Sequence, residues 1–448
     1  MLKAILAIGV AAISLSGVDG QGTPDRMTEK GESSIKDPNL ECQPYLYEPV
    51  ASALASFPGI WSGATIVDGD TNALAKWAAI QPNVPDIPPK GTLQGNFDGL
   101  NYGSDDPDCW WTNTKCVKPK ASGIPEDIWI MPEPRTLGYG FDDGPNCSHN
   151  AFYDYLASQN QKATMFFIGS NVMDWPLETQ RAVADGHEVC IHGWSHQYMT
   201  AFQNEDAFAE LYYSAYFFDG PFPIIKRPKP YGIIGMQAIK LGAGVTPTCW
   251  RPPFGDVDDR IRAIANGLGL RTMLWQYDSQ DWQVGVTPDI TSESVDHEYQ
   301  LMIDDAKKGM FNTAGTIMLF HELDDYTMSE AMKWYPKLKE SFDHILPVGV
   351  GYNVTQPYVE DSITQPNFIQ YTSGTGSTLL RNSSNTSPGS TVTTGSTTPG
   401  GITEVRLDDT VKKTGDAARL GLGWNGGASV VAALLLGLAF IFFGLSAH

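Results

Sequence analysis

The sequence predicts an α/β fold, a barrel of βα units with parallel strands. Between residues 135 and 345, short apolar runs with strand character alternate with segments of helical spacing. Such alternation implies parallel strands joined by right-handed crossovers. About 210 residues of this pattern fit a barrel better than a small sandwich. Functional residues of such barrels follow the carboxyl ends of the strands, and this sequence has polar residues there.

The predicted strands and helices follow one another in a regular order. The predicted strands are residues 135–141, 163–168, 188–191, 248–251, 272–277 and 315–320. The predicted helices are residues 150–159, 176–185, 205–216, 258–268, 295–308 and 328–345. The spacing of Phe152, Tyr155 and Leu156 supports the first helix, and Pro176 at the first position supports the second.

The composition is that of a folded protein with a strong negative charge. Of 448 residues, 42% are apolar and 18% are charged, which excludes wholesale disorder. Lys and Arg number 30 against 51 Asp and Glu, so the formal charge is −21. A polyanion of this size repels nucleic acid, and we therefore expect no nucleic-acid partner.

Both ends of the chain resemble targeting segments. Residues 1–20 combine Lys3, an apolar run and small residues, which is the layout of a secretory signal peptide. Residues 416–448 combine small residues, a short spacer and a terminal apolar run without a basic flank. This pattern predicts a GPI-anchor signal that is removed on maturation, and a tail-anchor helix is the alternative. We therefore expect an extracellular protein that is anchored to the plasma membrane, the cell wall or both.

Three segments lie between these ends. Residues 21–125 are rich in Pro, Gly, Asp and Asn and predict an irregular N-terminal extension. Residues 126–350 contain the alternating strands and helices and form the predicted main domain. Residues 351–415 predict a disordered stalk, because the stretch 372–403 is dominated by Ser and Thr.

Export has two consequences for the side chains. The six cysteines become disulfide candidates in an oxidising compartment, and the sequence leaves their pairing open. Four sequons, which are short and weak patterns, fit the same route and predict a glycoprotein. The sequons are at Asn146, Asn353, Asn382 and Asn385.

Two motifs at predicted strand ends indicate a metal site. Asp142 and Asp143 follow the first strand and precede Gly-Pro, although this sequence could also form a simple turn. His192 and His196 follow the third strand with i, i+4 spacing, which brings two imidazole nitrogens together. Histidines so spaced are often structural, but a carboxylate pair at a neighbouring strand end favours a metal site.

Three more polar fragments follow later strands. Arg251 precedes two prolines that stiffen the turn, so its guanidinium could hold a carboxylate at two points. An ordinary proline-rich surface loop is the alternative at this position. Asp281 follows the fifth predicted strand, and His321 follows the sixth. Polar fragments at five strand ends predict a functional site at this edge of the barrel.

Together the five motifs resemble those of the polysaccharide deacetylases, the NodB-homology proteins of carbohydrate esterase family 4. Within that family the chain is most similar to the fungal, GPI-anchored chitin deacetylases. The resemblance covers residues 134–346, roughly half of the chain. It implies a distorted (β/α) barrel of the NodB-homology type. It also implies metal-dependent removal of N-acetyl groups from the N-acetylglucosamine residues of chitin, which gives chitosan and acetate during cell-wall remodelling.

The resemblance implies roles for the residues around the metal. Asp143, His192 and His196 match the family's metal ligands. Asp142 matches the general base, and Arg251 matches the arginine that orients it. Two imidazoles and a carboxylate suit Zn²⁺, and Co²⁺ could substitute.

The other matching residues would act on the leaving group and the substrate. His321 matches the general acid, and Asp281 matches the carboxylate that tunes it. The backbone N–H of Phe254 matches the group that stabilises the oxyanion. Trp282 would form a wall of the pocket, and Leu319 would line the acetyl pocket. The implied partners are chitin or another N-acetylglucosamine polymer, the cell wall, and the membrane through the GPI anchor.

The chain departs from the family pattern at four positions. Gly140 replaces the usual threonine before Phe-Asp-Asp, Phe254 replaces a frequent tyrosine, and Glu322 replaces a frequent aspartate. Gly193 replaces the Ser or Thr that usually follows the first histidine. We expect this last change to loosen the hydrogen bonding that orients His192. None of the four changes removes a ligand, the base or the acid.

Three other functions fit parts of the pattern. A deacetylase of the same family could act on xylan or peptidoglycan instead of chitin. A catalytically silent wall-binding protein could keep the fold without the activity. An iron oxygenase also uses two histidines and one carboxylate, but Asp142, Arg251 and His321 suit hydrolysis better.

Overall fold

A computed structural model describes residues 25–215, 238–375 and 380–381 of the chain. The predicted signal peptide, the predicted GPI-anchor signal and most of the Ser/Thr-rich stretch lie outside these residues. Within the described ranges, no helix is both long enough and apolar enough to cross a bilayer.

The strands are short, and most of them precede a helix. The strands are β1 (Thr136–Gly138), β2 (Gly140–Gly144), β3 (Thr164–Phe167), β4 (Glu188–Ile191), β5 (Cys249–Trp250), β6 (Arg271–Thr272), β7 (Tyr277–Asp278), β8 (Thr316–His321), β9 (His344–Leu346), β10 (Ile363–Thr364) and β11 (Leu380–Arg381).

The helices include long ones in the main domain and short ones in the N-terminal extension. The helices are α1 (Glu29–Glu32), α2 (Pro38–Glu41), α3 (Glu48–Ala53), α4 (Thr71–Ile80), α5 (Trp111–Thr114), α6 (Asn150–Ser158), α7 (Gly169–Asp174), α8 (Pro176–Ala184), α9 (Asn204–Ala215), α10 (Ala238–Ala243), α11 (Asp259–Gly267), α12 (Ser292–Lys307), α13 (Asp325–Ser341), α14 (Val348–Gly351) and α15 (Phe368–Thr372).

Each predicted strand of the main domain has a counterpart, but two of them are divided. The predicted strand 135–141 breaks at Tyr139 into β1 and β2, because its neighbour on one side changes there. β1 pairs with β9, whereas β2 pairs with β3. The predicted strand 272–277 becomes β6 and β7, which also pair with different neighbours.

Each predicted helix also has a counterpart, and the last one is displaced towards the N-terminus. The sequence predicts a helix over 328–345, whereas α13 begins after Asp324. The Asp324 carboxylate accepts the Thr327 N–H at 2.9 Å and so caps the helix. The chain becomes extended at Phe342 and continues into β9, so the helix ends before its predicted boundary.

The main sheet is parallel throughout, as the alternation of strands and helices predicts. Its strand order is β6-β5-β4-β3-β2-β8-β1-β9, and β7 also pairs with β8. The prediction of a parallel α/β fold is therefore confirmed. Buried apolar side chains fill the core, and β2, β3, β4 and β8 are buried along their whole length.

One segment of chain bridges the seam between β6 and β7, which do not pair with each other in the described sheet. The Met273 N–H donates to Trp250 O of β5, and the Gln276 N–H donates to Ile317 O of β8, both at 2.9 Å. The segment between these residues therefore passes from one side of the seam to the other. The sheet is not closed by strand pairing here, and the barrel is distorted at this point.

The strand register brings predicted functional residues to one edge. Asp142 of β2 lies opposite His321 of β8. The last residues of β4 and β5 are also paired, so His192 and Arg251 follow these two strands side by side. Because the strands are parallel, all of these residues are at the carboxyl edge.

The six cysteines form disulfides, as expected for an exported chain. The pairs are Cys42–Cys147, Cys109–Cys116 and Cys190–Cys249. The third pair joins β4 to β5 two residues before His192 and Arg251. The first pair joins the N-terminal extension to the loop that follows β2.

The N-terminal extension packs on the main domain through buried polar contacts. The buried Lys90 ammonium lies 2.6 Å from the Asp258 carboxylate, just before α11. The Trp110 indole N–H donates to Asp256 Oδ1 at 2.8 Å. Both carboxylates belong to the segment between Arg251 and α11, so the extension holds a loop that follows β5.

The predicted stalk boundary at residue 351 is too early. Residues 351–375 include α15 and pack on the domain. Tyr358 is fully buried, and its hydroxyl accepts the Val189 N–H of β4 at 3.1 Å. Ile363 and Phe368 are buried as well. The average composition of the segment conceals these few apolar residues, although they are enough to attach it to the core.

Candidate active site

The three predicted metal ligands lie together at the carboxyl edge of the sheet. Asp143 is in β2, and His192 and His196 are in the loop after β4. The Nε2 atoms of His192 and His196 lie 3.3 and 3.0 Å from Asp143 Oδ1. The three ligand atoms lie within 4.8 Å of one another. A single cation could therefore contact all three residues.

The hydrogen bonding and the ionisation of these side chains also suit the binding of a cation. Asp143 Oδ1 is buried and has no hydrogen-bond partner among the described residues. The His192 Nδ1–H donates to Arg251 O at 2.8 Å, which leaves the Nε2 lone pair facing Asp143. Burial raises the pKa of Asp143, but the positive charge and hydrogen bonding that His196 and His192 supply when protonated outweigh it and hold the pKa well below its usual range. A divalent cation bound by the neutral imidazoles would supply positive charge to Asp143 in their place.

Asp142 lies beside this group and is held by Arg251. The Arg251 Nη1 donates to Asp142 Oδ1 at 2.6 Å, and both side chains are buried. The two-point contact predicted for Arg251 is not observed, because Nη2 is directed to Leu274 O at 3.4 Å. Asp142 Oδ2 lies 3.5 Å from His192 Nε2 and so faces the ligand group.

His321 lies on the strand next to Asp142 and pairs with Asp281. The His321 Nδ1–H donates to Asp281 Oδ1 at 2.6 Å, and Asp281 Oδ2 accepts the His321 N–H at 3.1 Å. Burial lowers the pKa of His321, but the Asp281, Asp143 and Asp142 carboxylates outweigh it and raise the pKa to about 10. The imidazole is therefore cationic at neutral pH, with Nδ1 directed to Asp281.

Phe254 lies on the other side of His196 in a strained backbone conformation. Its φ is +57°, which is unusual for a bulky residue. Its ring lies 4.6 Å from the His196 ring and stacks on Tyr198 with centroids 4.2 Å apart. The loop around Phe254 is therefore fixed beside the predicted metal ligands.

The remaining predicted residues lie near Asp281. Leu319 is buried in β8, opposite Asp278 of β7. Trp282 is half-buried, and its backbone N–H donates to Asp281 Oδ1 at 2.9 Å. Asp278 Oδ1 accepts the Gln280 N–H at 2.8 Å and so shapes the turn before Asp281. The structure therefore brings all ten predicted site residues to one edge of the barrel.

The structure adds Glu210 of α9, which the sequence analysis did not single out. Its Oε2 accepts the backbone N–H groups of Trp194 and Ser195, each at 2.9 Å. Its Oε1 accepts the Ser195 hydroxyl and the Ala64 N–H, each at 2.7 Å. The sequence did contain a signal for Glu210, because it is a carboxylate on the apolar face of a predicted helix. Such a residue is expected to be buried, and a buried charge needs dedicated hydrogen-bond partners.

Two departures from the family pattern have a local structural reason. Gly193 has a φ of +72°, where a Ser or Thr would be strained. Glu210, and not a side chain at position 193, binds the loop between the two histidines. The second departure is Glu322, where aspartate is frequent. A Cβ at Gly144 would overlap the Glu322 side chain, so glycine at position 144 leaves room for the longer acid.

The chain is similar in sequence to proteins of one known family. Residues 131–218 match the model of the polysaccharide deacetylase family. The chain is 49% identical over 354 residues to chitin deacetylase 2 of Cryptococcus neoformans var. grubii, covering 78% of this chain and 73% of that protein. It is 42% identical over 342 residues to the chitin deacetylase of Amylomyces rouxii, covering 74% of each.

Solved structures give a weaker likeness. The chitin deacetylase of Colletotrichum lindemuthianum matches with a TM-score of 0.41 and 19% identity, covering 51% of this chain and 92% of that one. The family assignment rests on the sequence relatives, which are similar over most of their length. On that basis, the chain belongs to the polysaccharide deacetylase family.

Proposed function

We propose that this protein hydrolyses N-acetyl groups of N-acetylglucosamine residues in chitin, giving chitosan and acetate during cell-wall remodelling. One observation carries the proposal. A carboxylate and two imidazole nitrogens converge between Asp142, which Arg251 holds, and His321, which Asp281 holds. Relatives of 42 and 49% identity that are named chitin deacetylases support the choice of substrate.

Asp143, His192 and His196 would hold the cation that this family requires. We propose Zn²⁺, with Co²⁺ as a possible substitute, because two imidazoles and one carboxylate form a frequent zinc donor set. When bound, such a cation supplies Lewis acidity, polarising the acetyl carbonyl and lowering the pKa of water towards neutrality. The buried surroundings strengthen this electrostatic effect.

Asp142 would act as the general base. Arg251 occupies its Oδ1, so Oδ2 is the oxygen directed to the predicted metal ligands. A water between Oδ2 and the acetyl carbon would transfer its proton to Oδ2 as it attacks. Arg251 also holds the base in position through its bond to Oδ1.

His321 would act as the general acid. Its Nδ1–H is engaged by Asp281, so Nε2 is the nitrogen free to donate a proton. Transfer of that proton to the sugar nitrogen completes cleavage of the C–N bond and releases acetate and a free amine. A pKa of about 10 keeps His321 protonated at neutral pH.

Three other residues would bind the acetyl group and the developing oxyanion. The positive φ of Phe254 fixes the orientation of its peptide, whose N–H would donate to the oxyanion. Leu319 would supply an apolar surface for the acetyl methyl group, and Trp282 a wall of the pocket. Removing one oxyanion donor typically costs about a hundredfold or more in rate.

The terminal segments lead to a proposed location. We propose that the protein is secreted, N-glycosylated and held at the plasma membrane or cell wall by a GPI anchor. The apolar ends and the Ser/Thr-rich stretch of the sequence support this proposal. Deacetylation makes chitin cationic, and a formal charge of −21 would keep the enzyme near its product.

Acetate release from N-acetylglucosamine oligomers tests the proposed function. We expect release by the purified protein, loss of release with a chelator, and recovery when Zn²⁺ is restored. We expect Asp142→Asn and His321→Ala each to reduce release by about a hundredfold or more. His192→Ala should lose bound metal. Equal metal content in His192→Ala would contradict the ligand assignment, and faster release from xylan or peptidoglycan would contradict the substrate.

A further inference from the structure

Trp61 and Phe254 are aromatic residues that are exposed to solvent and have a positive φ. Among the Phe and Trp residues that the structure describes, Trp61 and Phe254 are the most exposed, at 41% and 37%. Both have a positive φ, of +61° and +57°. Bulky residues rarely adopt this conformation, and surrounding contacts must maintain it. Phe254 belongs to the candidate active site, whereas Trp61 belongs to the N-terminal extension.

Trp61 is fixed to α7 at two points. Its backbone N–H donates to Ser170 Oγ at 2.9 Å, and its indole N–H donates to Asp174 Oδ2 at 2.9 Å. These bonds fix the backbone and one edge of the ring. The exposed ring is therefore a rigid apolar surface with its polar atom already satisfied.

Helix α7 connects this surface to the candidate metal ligands. The helix follows β3 and therefore starts at the carboxyl edge of the sheet. The Asn171 amide donates to Asp143 O at 2.7 Å. The Ser170 N–H and hydroxyl both donate to Trp194 O, between the two histidines. Asn171 and Asp174 are three residues apart, about 4.5 Å along a helix.

We propose that Trp61 forms a sugar-binding subsite of the N-terminal extension. This subsite would bind an N-acetylglucosamine ring next to the residue that is deacetylated. Such a ring has an apolar face of C–H groups that can stack on an indole, while its hydroxyls stay in solvent. The inference rests on the proposed function, because it names a chitin chain as the occupant. The extension then favours long chitin chains over the single sugar.

The test compares a chitin oligomer with the single sugar. The kcat/KM for acetate release is measured with the pentamer and with N-acetylglucosamine, which fills the catalytic position alone, and their ratio is the readout. In Trp61→Ala we expect this ratio to fall by about tenfold, equivalent to about 1.4 kcal/mol of lost contact. Trp61→Phe keeps an aromatic face and should retain most of the ratio. Leu54→Ala is the matched control, since Leu54 is also exposed, at 44%, on the same extension.

A binding measurement separates this inference from the proposed function. The pentamer is titrated by calorimetry into Asp142→Asn, with and without Trp61→Ala. We expect Trp61→Ala to raise Kd by about tenfold. An unchanged Kd, or a Trp61→Ala ratio equal to that of wild type, would overturn the inference. Absence of acetate release by the wild-type protein would overturn the proposed function instead, and the titration would still decide whether Trp61 binds chitin.

Discussion

Glu210 binds Ser195 twice, through the Ser195 N–H at 2.9 Å and the Ser195 hydroxyl at 2.7 Å. Ser195 immediately precedes His196. A carboxylate in the core therefore sets the position of the loop that contains the candidate metal ligands His192 and His196. Glu210 also accepts the Ala64 N–H from the extension. The loop, α9 and the extension are therefore joined at one buried group.

Glu210→Gln should weaken metal binding. The Gln amide nitrogen cannot accept hydrogen bonds, so either the Ala64 N–H or the Trp194 and Ser195 N–H groups lose their partner, and the buried group that holds the loop is disturbed. We expect metal affinity to fall by about tenfold to a hundredfold, as for other residues that support ligands. Calorimetric titration of the metal-free protein, prepared with a chelator, with Zn²⁺ measures this change.

Glu188→Gln is the matched control for this prediction. Glu188 is also buried, but it accepts the Thr164 hydroxyl at 2.8 Å and the Gly349 N–H at 2.9 Å, at the start of β4. We expect lower thermal stability in this variant and metal affinity near that of wild type. Equal losses of metal affinity in the two variants would contradict a specific effect of Glu210.

Asp281→Asn should move the alkaline limit of activity to lower pH. The protonated form of His321 loses its charged partner, so the pKa of His321 falls from about 10. We expect the alkaline limb of the kcat profile to move down by about one pH unit or more. A bound cation repels the imidazolium, so the limb of the loaded enzyme should itself lie below pH 10. A limb at the same pH in both proteins would contradict this role for Asp281.

The same ion pair affects stability. The folded protein has a His321 pKa of about 10, above the ordinary 6.5. The stability that the His321–Asp281 ion pair contributes is therefore fully present below pH 6.5 and is lost as the pH rises through about 10. Chemical denaturation at several pH values should show this loss in wild type and a smaller one in Asp281→Asn.

Removing the Arg251 charge should destabilise the protein. Arg251→Met leaves the Asp142 carboxylate buried, with 2% of its surface exposed, and without its cation. Breaking a buried pair in this way costs about 3–5 kcal/mol. Arg251→Lys keeps the charge but not the planar group that stacks 4.0 Å from the Phe166 ring centroid. We expect Lys to restore part of the unfolding free energy but little of the acetate release, and full activity in either variant would contradict the positioning role.

Glu322→Gln should flatten the dependence of stability on pH. Burial is the main cause that raises the pKa of Glu322 to about 8, from 4.5. Between these values the folded protein retains a proton that the unfolded chain releases. Stability therefore falls as pH rises, by up to about 1.4 kcal/mol per pH unit. Denaturation at pH 5 and pH 8 should show a smaller fall in Glu322→Gln, whereas the exposed Glu340→Gln should behave as wild type.

Local sequence was sufficient for much of the fold. Strand and helix periodicity predicted the counterparts of β1 to β8, because buried strands and amphipathic helices leave a pattern in neighbouring residues. The ends of these elements were less predictable. The cap at Asp324 moved α13, and the change of partner at Tyr139 divided one strand. Neither the helix cap nor the change of strand partner leaves a periodic pattern in the sequence.

The sequence by itself determined which residue types follow the strands, and their close spacing along the chain placed Asp142 beside Asp143 and His192 near His196. Tertiary structure alone decided which distant residues meet them. Glu210 lies 16 positions from Trp194 and 146 from Ala64, yet it binds both. Long-range packing and register select such partners, because only the folded chain brings them within hydrogen-bond distance. For the same reason Trp61 of the extension reaches α7, beside the candidate metal ligands.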